Sequence, residues 1–265
     1  MYSVFFHAHQ KLDKVARRHL GELLKQDNAT FPSKRQILKF EGIHGPDGTK
    51  LKKLTGNKEP WQFLDPDDLN DTDLREQIKF HYDELVKHLR LGDKIRAGFD
   101  AAWLAHALID GLTPAHHYPY EQELAEIRGD KNRHSRKTWY SRLYVEADTV
   151  FESVQRSLKL VGPTGLLTNH TLFEAGAFVI ILPLRLNRAR PSRKDLKTVL
   201  DKGVIEVFDK MVQEISSLKL YDRYVDRGWI YSVARDARVQ MAPRMVLMIT
   251  LAWYAAYKEA AKVAS

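Results

Sequence analysis

A chain of 265 residues, 44% hydrophobic and 29% charged, has enough apolar material to bury a core without covalent staples. It contains no Cys, which excludes a disulfide framework and any thiolate metal site, so metal donors must come from His, Asp and Glu. The formal charge of +8 favours anionic partners such as phosphate esters, nucleic acid or an acidic lipid surface.

Met1–Gln10 lacks the basic start and long apolar run of a secretory signal. The chain therefore reads as cytoplasmic, or as secreted and already trimmed. Leu12, Val15, Ala16, His19, Leu20, Leu23 and Leu24 recur at helical spacing and predict a helix over His7–Lys25. On it His9 precedes Asp13 by one turn, and His7 and His9 cannot share a face. Asp27–Asp73 carries Pro32, Pro46, Pro60 and Pro66 and has no sustained period, which predicts a long irregular segment. Phe31, Phe40, Trp61 and Phe63 argue against disorder there. Polar groups concentrate in Glu41–Gly48 and Glu59–Asp68, with Lys50, Lys52, Lys53 and Lys58 between them. That pattern fits a solvated loop or the rim of a phosphate-binding cleft.

Two helices follow, over Asp73–Leu91 and Gly92–Gly111, and His81 and His88 read as ordinary residues of the first. Further helices are predicted over Glu121–Arg128, Thr138–Lys159, Leu166–Leu186, Asp195–Leu218 and Ala234–Val263, with a turn at Arg227–Trp229. Ala175–Leu184 and Met245–Tyr257 are the most apolar stretches, and both fall short of the roughly 20 residues that a membrane-spanning helix needs. Strand signals are almost absent. The expected fold is all-α, one domain over residues 1–265, whose loops contribute the functional site.

The chemistry concentrates in Leu104–Tyr118. His106 and Asp110 stand at i and i+4 on one helix face, inside an apolar run from Ala101 to Ile109. A His and an Asp buried there must be paired or metal-bound. Gly111 and Pro114 end the helix, so the chain can turn and bring His116 back to the same pocket. Two histidines and a carboxylate converging on one point make a first-row metal site, with zinc the leading choice. His170 and Glu174 form a second pair of the same spacing.

His106-x3-Asp110-x5-His116, with Pro114 two before the last His, resembles the H-x3-D-x3-P-x-H signature of the zinc-dependent phospholipase C / S1-P1 nuclease superfamily. His170-x3-Glu174 resembles the later H-x3-[DE] of that family, and His9 resembles its histidine on the first helix. The resemblance runs from His9 to Glu174 and implies the fold of that superfamily. It also implies that His106 and Asp110 bind one zinc, that His116, His170 and Glu174 bind a second, and that His9, with Asp110 bridging, binds a third. Asp47 matches a catalytic aspartate that would orient or deprotonate the attacking water.

Two departures stand out. Gln62, in Trp61-Gln62-Phe63-Leu64-Asp65-Pro66, occupies the place of a family histidine, and an amide oxygen is a weaker zinc donor than imidazole. That zinc position is then the weakest of the three, or His44 or a water completes it. The family also uses a processed N-terminal amine as a ligand, whereas Met1 lies eight residues before His9. Met1 still reaches the site, His7 substitutes, or that metal is under-coordinated. The implied function is zinc-dependent hydrolysis of a phospholipid or nucleic-acid phosphodiester. The other reading is an all-α relative with a partial metal site that binds nucleic acid or acidic lipid.

Overall fold

The computed structural model describes residues 6–25, 28, 30–41, 45–46, 62–68, 70–117, 123, 126–127 and 149–262, except the side chains of Phe6, His7 and Val150. Among these residues every regular element is a helix. Helix α1, Phe6–Leu24, buries Leu12, Val15, Ala16, Leu20 and Leu24, the stripe its period predicts. The irregular segment contains one element that sequence periodicity missed, α2, Lys34–Leu38. It is short, but Ser33 and Gln36 close a capping box: the Ser33 hydroxyl accepts the Gln36 N–H, and the Gln36 side chain accepts the Ser33 N–H at 2.8 Å.

Helices α3, Asp73–Arg90, and α4, Lys94–Gly111, form a hairpin about Gly92, whose φ of +69° favours a residue without Cβ. Asp93 caps α4 by accepting the N–H groups of Ile95 and Arg96 at 3.1 and 3.0 Å. From Ala97 onward α4 is buried on nearly every side except at Phe99 and Trp103, which are half-buried. A helix in that position must satisfy every polar group it carries. A 3₁₀ turn, Pro114–His116, follows at once.

The second half of the chain holds α5 (Val150–Val161), α6 (Leu166–Ile181), α7 (Arg193–Lys202), α8 (Val204–Ser216), α9 (Leu220–Arg227) and α10 (Tyr231–Asp236). A π-helical turn, Ala237–Met241, then leads into α11, Ala242–Ala261. Of the helix expected over Thr138–Lys159, the described part is α5, capped by Thr149, whose hydroxyl accepts the Glu152 N–H, and 138–148 lie outside the described residues. Two expectations are revised here. The expected Asp195–Leu218 helix is two helices, broken at Gly203, where φ is +87°. The stretch after Leu218 contains α9 and α10 around Gly228.

One buried apolar cluster runs from Leu12 to Ala260, with α11 at its centre against α1, α3, α4, α7 and α8. Trp253 of α11 is fully buried and donates its indole N–H to the Ala101 carbonyl at 3.0 Å. No helix among the described residues is long and apolar enough to cross a membrane.

The packing around the end of α4 is close. A Cβ at Gly111 would lie 2.4 Å from Cζ of Phe208 and 2.9 Å from Cδ2 of Leu74. Gly111→Ala is therefore expected to lower stability by about 1–3 kcal/mol through overpacking. A shift in the urea midpoint, at unchanged m-value, checks it.

Candidate metal centre

The candidate centre lies where α1, the segment after α2, α4, the 3₁₀ turn and α6 meet. From α4, His106 Nε2 stands 3.3 Å from Asp110 Oδ2, as the i,i+4 spacing predicts. From α1, the His9 ring stacks on His106 with centroids 4.1 Å apart, and its Nε2 is 3.7 Å from Asp110 Oδ1. Glu41, just beyond α2 and 4% exposed, places Oε2 at 3.5 Å from His106 Nδ1. The donor atoms of His9, Glu41 and His106 all lie within 4.8 Å of one another.

The 3₁₀ turn carries the chain back, and His116 Nδ1 reaches 3.7 Å from the same Oδ1 of Asp110. On its other side His116 Nε2 is 3.0 Å from Glu174 Oε1, and His170 Nε2 is 3.3 Å from that oxygen. The His116 and His170 rings are stacked at 5.1 Å and 11°. Donor atoms of His116, His170 and Glu174 form the second group within 4.8 Å. Phe63 backs both rings, at 5.4 Å from His116 and 6.2 Å from His170, and the Leu64 N–H donates to the His116 carbonyl at 3.1 Å.

Asp110 thus stands between two His/carboxylate groups, and its carboxylate faces His9, His106 and His116. Burial works to raise its carboxyl, but His106, His116 and His9 outweigh it and hold it below the usual carboxylate range. At Glu174 burial acts the same way, and His170 and His116 again outweigh it and hold the carboxyl far below that range. Both groups are therefore ionised, the form that binds a cation.

The donors fit zinc in kind and spacing. Imidazole nitrogen and carboxylate oxygen are its ordinary ligands when thiolate is absent. Two donors each about 2.0–2.2 Å from one ion stand roughly 3.3 Å apart in tetrahedral geometry, close to the separations found here. Glu41 Oε1 and both oxygens of Asp13 are buried and have no hydrogen-bond partner among the described residues.

Of the residues singled out from sequence, His9, His106, Asp110, His116, His170 and Glu174 converge. They fall into two groups, with His9 and His106 together in one. Gln62 is half-buried and directly precedes Phe63, which covers the second group. Asp47 and His44 lie outside the described residues. Glu41 takes the position beside His106 for which Gln62 was expected. Sequence reasoning passed over Glu41, which showed only as one of several polar residues in a loop. Asp13 was paired with His9 by its i+4 spacing but given no role; it is 1% exposed.

The tandem histidines divide their work. His116 faces Asp110 and Glu174, whereas His117 donates from Nε2 to the Gly111 carbonyl at 2.5 Å, and burial pushes its ring down to about 4. His116→Ala is expected to lose metal and His117→Ala to keep it, as measured by zinc content after gel filtration.

His117 also sets a pH dependence. The unfolded chain takes up this proton at about 6.5, and the folded protein only near 4. The unfolded state therefore binds more protons in between, so the stability from this group is present above about pH 6.5 and lost on acidification toward pH 4. His19, its ring nitrogen 3.1 Å from the Leu186 carbonyl oxygen, is lowered by burial and acts in the same direction. The metal-free protein is expected to have a lower urea midpoint near pH 5 than near pH 7, and His117→Gln to flatten that slope.

Comparison with family models, with curated proteins and with solved structures finds no match to this chain.

Proposed function

We propose that the chain is a zinc-dependent phosphodiesterase of the phospholipase C / S1-P1 nuclease type, acting on a phospholipid or nucleic-acid diester. The observation that carries this reading is Asp110, set between two His/carboxylate groups with Oδ1 at 3.7 Å from both His9 and His116. A carboxylate in that position can hold two cations at a short, fixed separation. The order and spacing of His106, Asp110, His116, His170 and Glu174 support the same reading.

When bound, zinc neutralises phosphoryl oxygens and lowers the pKa of a water. His9, Glu41 and His106 would hold one ion, His116, His170 and Glu174 the other, and Asp110 would face both. Phe63 packs against the rings of His116 and His170. Asp47 is proposed as the proton acceptor for the attacking water, and Gln62 as a weak neutral donor beside the centre. The net charge of +8 favours an anionic substrate over a neutral one.

The test is zinc content of the purified protein, with hydrolysis of bis(p-nitrophenyl) phosphate, lecithin and single-stranded DNA measured side by side with and without chelator. Bound zinc and chelator-sensitive cleavage of at least one diester are expected. Protein that binds no zinc and cleaves none of the three, yet retains nucleic acid or acidic vesicles, would establish the non-catalytic alternative.

A further inference from the structure

We propose that α5, the outer side of α6 and the basic segment that follows it form a docking surface for an acidic lipid bilayer. The surface lies outside the metal centre, and the inference stands whether or not the chain cleaves diesters.

Helix α5 turns its apolar side outward. Phe151, Val154, Leu158 and Val161 recur at i, i+3, i+7 and i+10, so they share one face, and all four are exposed, Phe151 at 79%. A solvated helix places polar residues there. On its inner side Leu160 is buried in one small cluster with Leu166 and Phe63. Helix α6 packs against α5 after the turn at residues 162–165 and shows the same pattern. Leu172, Val179 and Leu182 stand at i, i+7 and i+10 and are exposed, Val179 at 66%. Apolar faces left open on two packed helices mark an interaction surface, unlike single exposed leucines.

The chain leaves α6 into residues 185–197, which hold six basic residues, all exposed, and one acid, Asp195. Six positive charges and one negative give this segment a net +5, against +8 for the whole chain. Its backbone is held in place. Arg18 donates to the Arg185 carbonyl at 3.0 Å and to Asn187 Oδ1 at 2.9 Å, and Ala189 is buried in the core. Arg190 is paired with Glu22. Arg185, Arg188, Arg193, Lys194 and Lys197 have no acidic partner among the described residues, so their charge is presented from a fixed frame.

Apolar side chains beside concentrated basic charge match a bilayer with anionic headgroups. The first enter the boundary between headgroups and acyl chains, and the second meet the phosphates. Other occupants fit less of the surface. A nucleic acid would use the charge but leave the apolar faces uncovered, and residues 185–197 contain no aromatic ring on which bases could stack. A second copy would cover the apolar faces, but an isologous pair sets two segments of the same charge beside one interface.

The experiment is co-sedimentation of the full chain with vesicles of phosphatidylcholine alone or mixed with phosphatidylglycerol, with and without chelator. Wild type is expected to bind the mixed vesicles more tightly, and to be released by salt. Each basic residue near an acidic surface is worth roughly fivefold in partition, so Arg188→Gln, Lys194→Gln and Lys197→Gln combined are expected to weaken binding about a hundredfold. Phe151→Ser with Leu158→Ser is expected to weaken binding to both kinds of vesicle at an unchanged urea midpoint, because both side chains are exposed. The chain has no Cys, so Leu158→Cys takes a single fluorescent label, whose quenching by brominated acyl chains reads insertion directly. Wild type that binds neither vesicle would overturn the inference. So would vesicle binding that survives Phe151→Ser with Leu158→Ser while the label stays unquenched. Retention of single-stranded DNA without vesicle binding would overturn it in favour of a nucleic acid. A dimer that Phe151→Ser with Leu158→Ser dissociates, again without vesicle binding, would overturn it in favour of a second copy.

Discussion

On the two-ion phosphodiesterase reading proposed above, Asp110→Asn is expected to release both ions together and to lower diester hydrolysis by on the order of a thousandfold, the upper end of what one electrostatic group in a preorganised site contributes. The reason is geometric. Oδ1 of Asp110 is equally far from His9 and His116, at 3.7 Å, and Oδ2 is 3.3 Å from His106. No other described carboxylate stands between the two groups. Asparagine keeps the shape but removes the charge and leaves only one oxygen donor, so neither group retains an anionic neighbour on that side. Glu174→Gln is the contrast, because Glu174 faces His116 and His170 alone. It is expected to weaken one ion and spare the other. Zinc stoichiometry of the two variants, read beside bis(p-nitrophenyl) phosphate turnover, separates them. Equal, single-ion losses from both would mean that Asp110 does not join the groups.

Asp100→Ala, away from the candidate centre, is expected to destabilise the fold strongly. Asp100 is 3% exposed on α4, and its two oxygens each take one imidazole from α3: His81 Nδ1 at 3.1 Å and His88 Nδ1 at 2.8 Å. One carboxylate thereby ties two turns of α3 to α4. Alanine leaves a cavity and deprives both imidazoles of their acceptor in a largely buried setting, a loss of about 3–5 kcal/mol. That corresponds to a fall in Tm of roughly 6–20 °C for a chain of this size. Asp100→Asn retains one oxygen acceptor and is expected to lose about half as much. Because His106 and Asp110 lie on the same helix, Asp100→Ala should also weaken zinc binding in proportion to the loss of fold. Thermal unfolding of the metal-free variants checks the first effect. An Asp100→Ala protein as stable as wild type would mean that the two histidines find other acceptors.

Helix identity was readable along most of the chain because it is a local property. The apolar spacing of α1, α3 and α6, the breaks at Gly92 and Pro114, and the His106/Asp110 pair on a buried face depend on residues within a turn or two of one another. The same spacing made His9 and Asp13, and His170 and Glu174, visible as pairs. Breaks set by one backbone angle were less visible. Gly203 lies inside a continuous helical pattern, and its effect depends on a φ that its neighbours do not dictate.

The partners across the fold were not readable. His116 and Glu174 are 58 positions apart and meet only because α6 packs beside the 3₁₀ turn. Glu41 has no periodic context, and only the position of α2 against α4 turns its carboxylate toward His106. His81 and His88 read as ordinary helix residues until the α3–α4 hairpin closes and the Asp100 carboxylate meets both rings. Sequence periodicity records which face of a helix is buried. It does not record what is buried against it, because that is set by chain packing over long separations, where each polar group takes whichever partner the fold brings within reach.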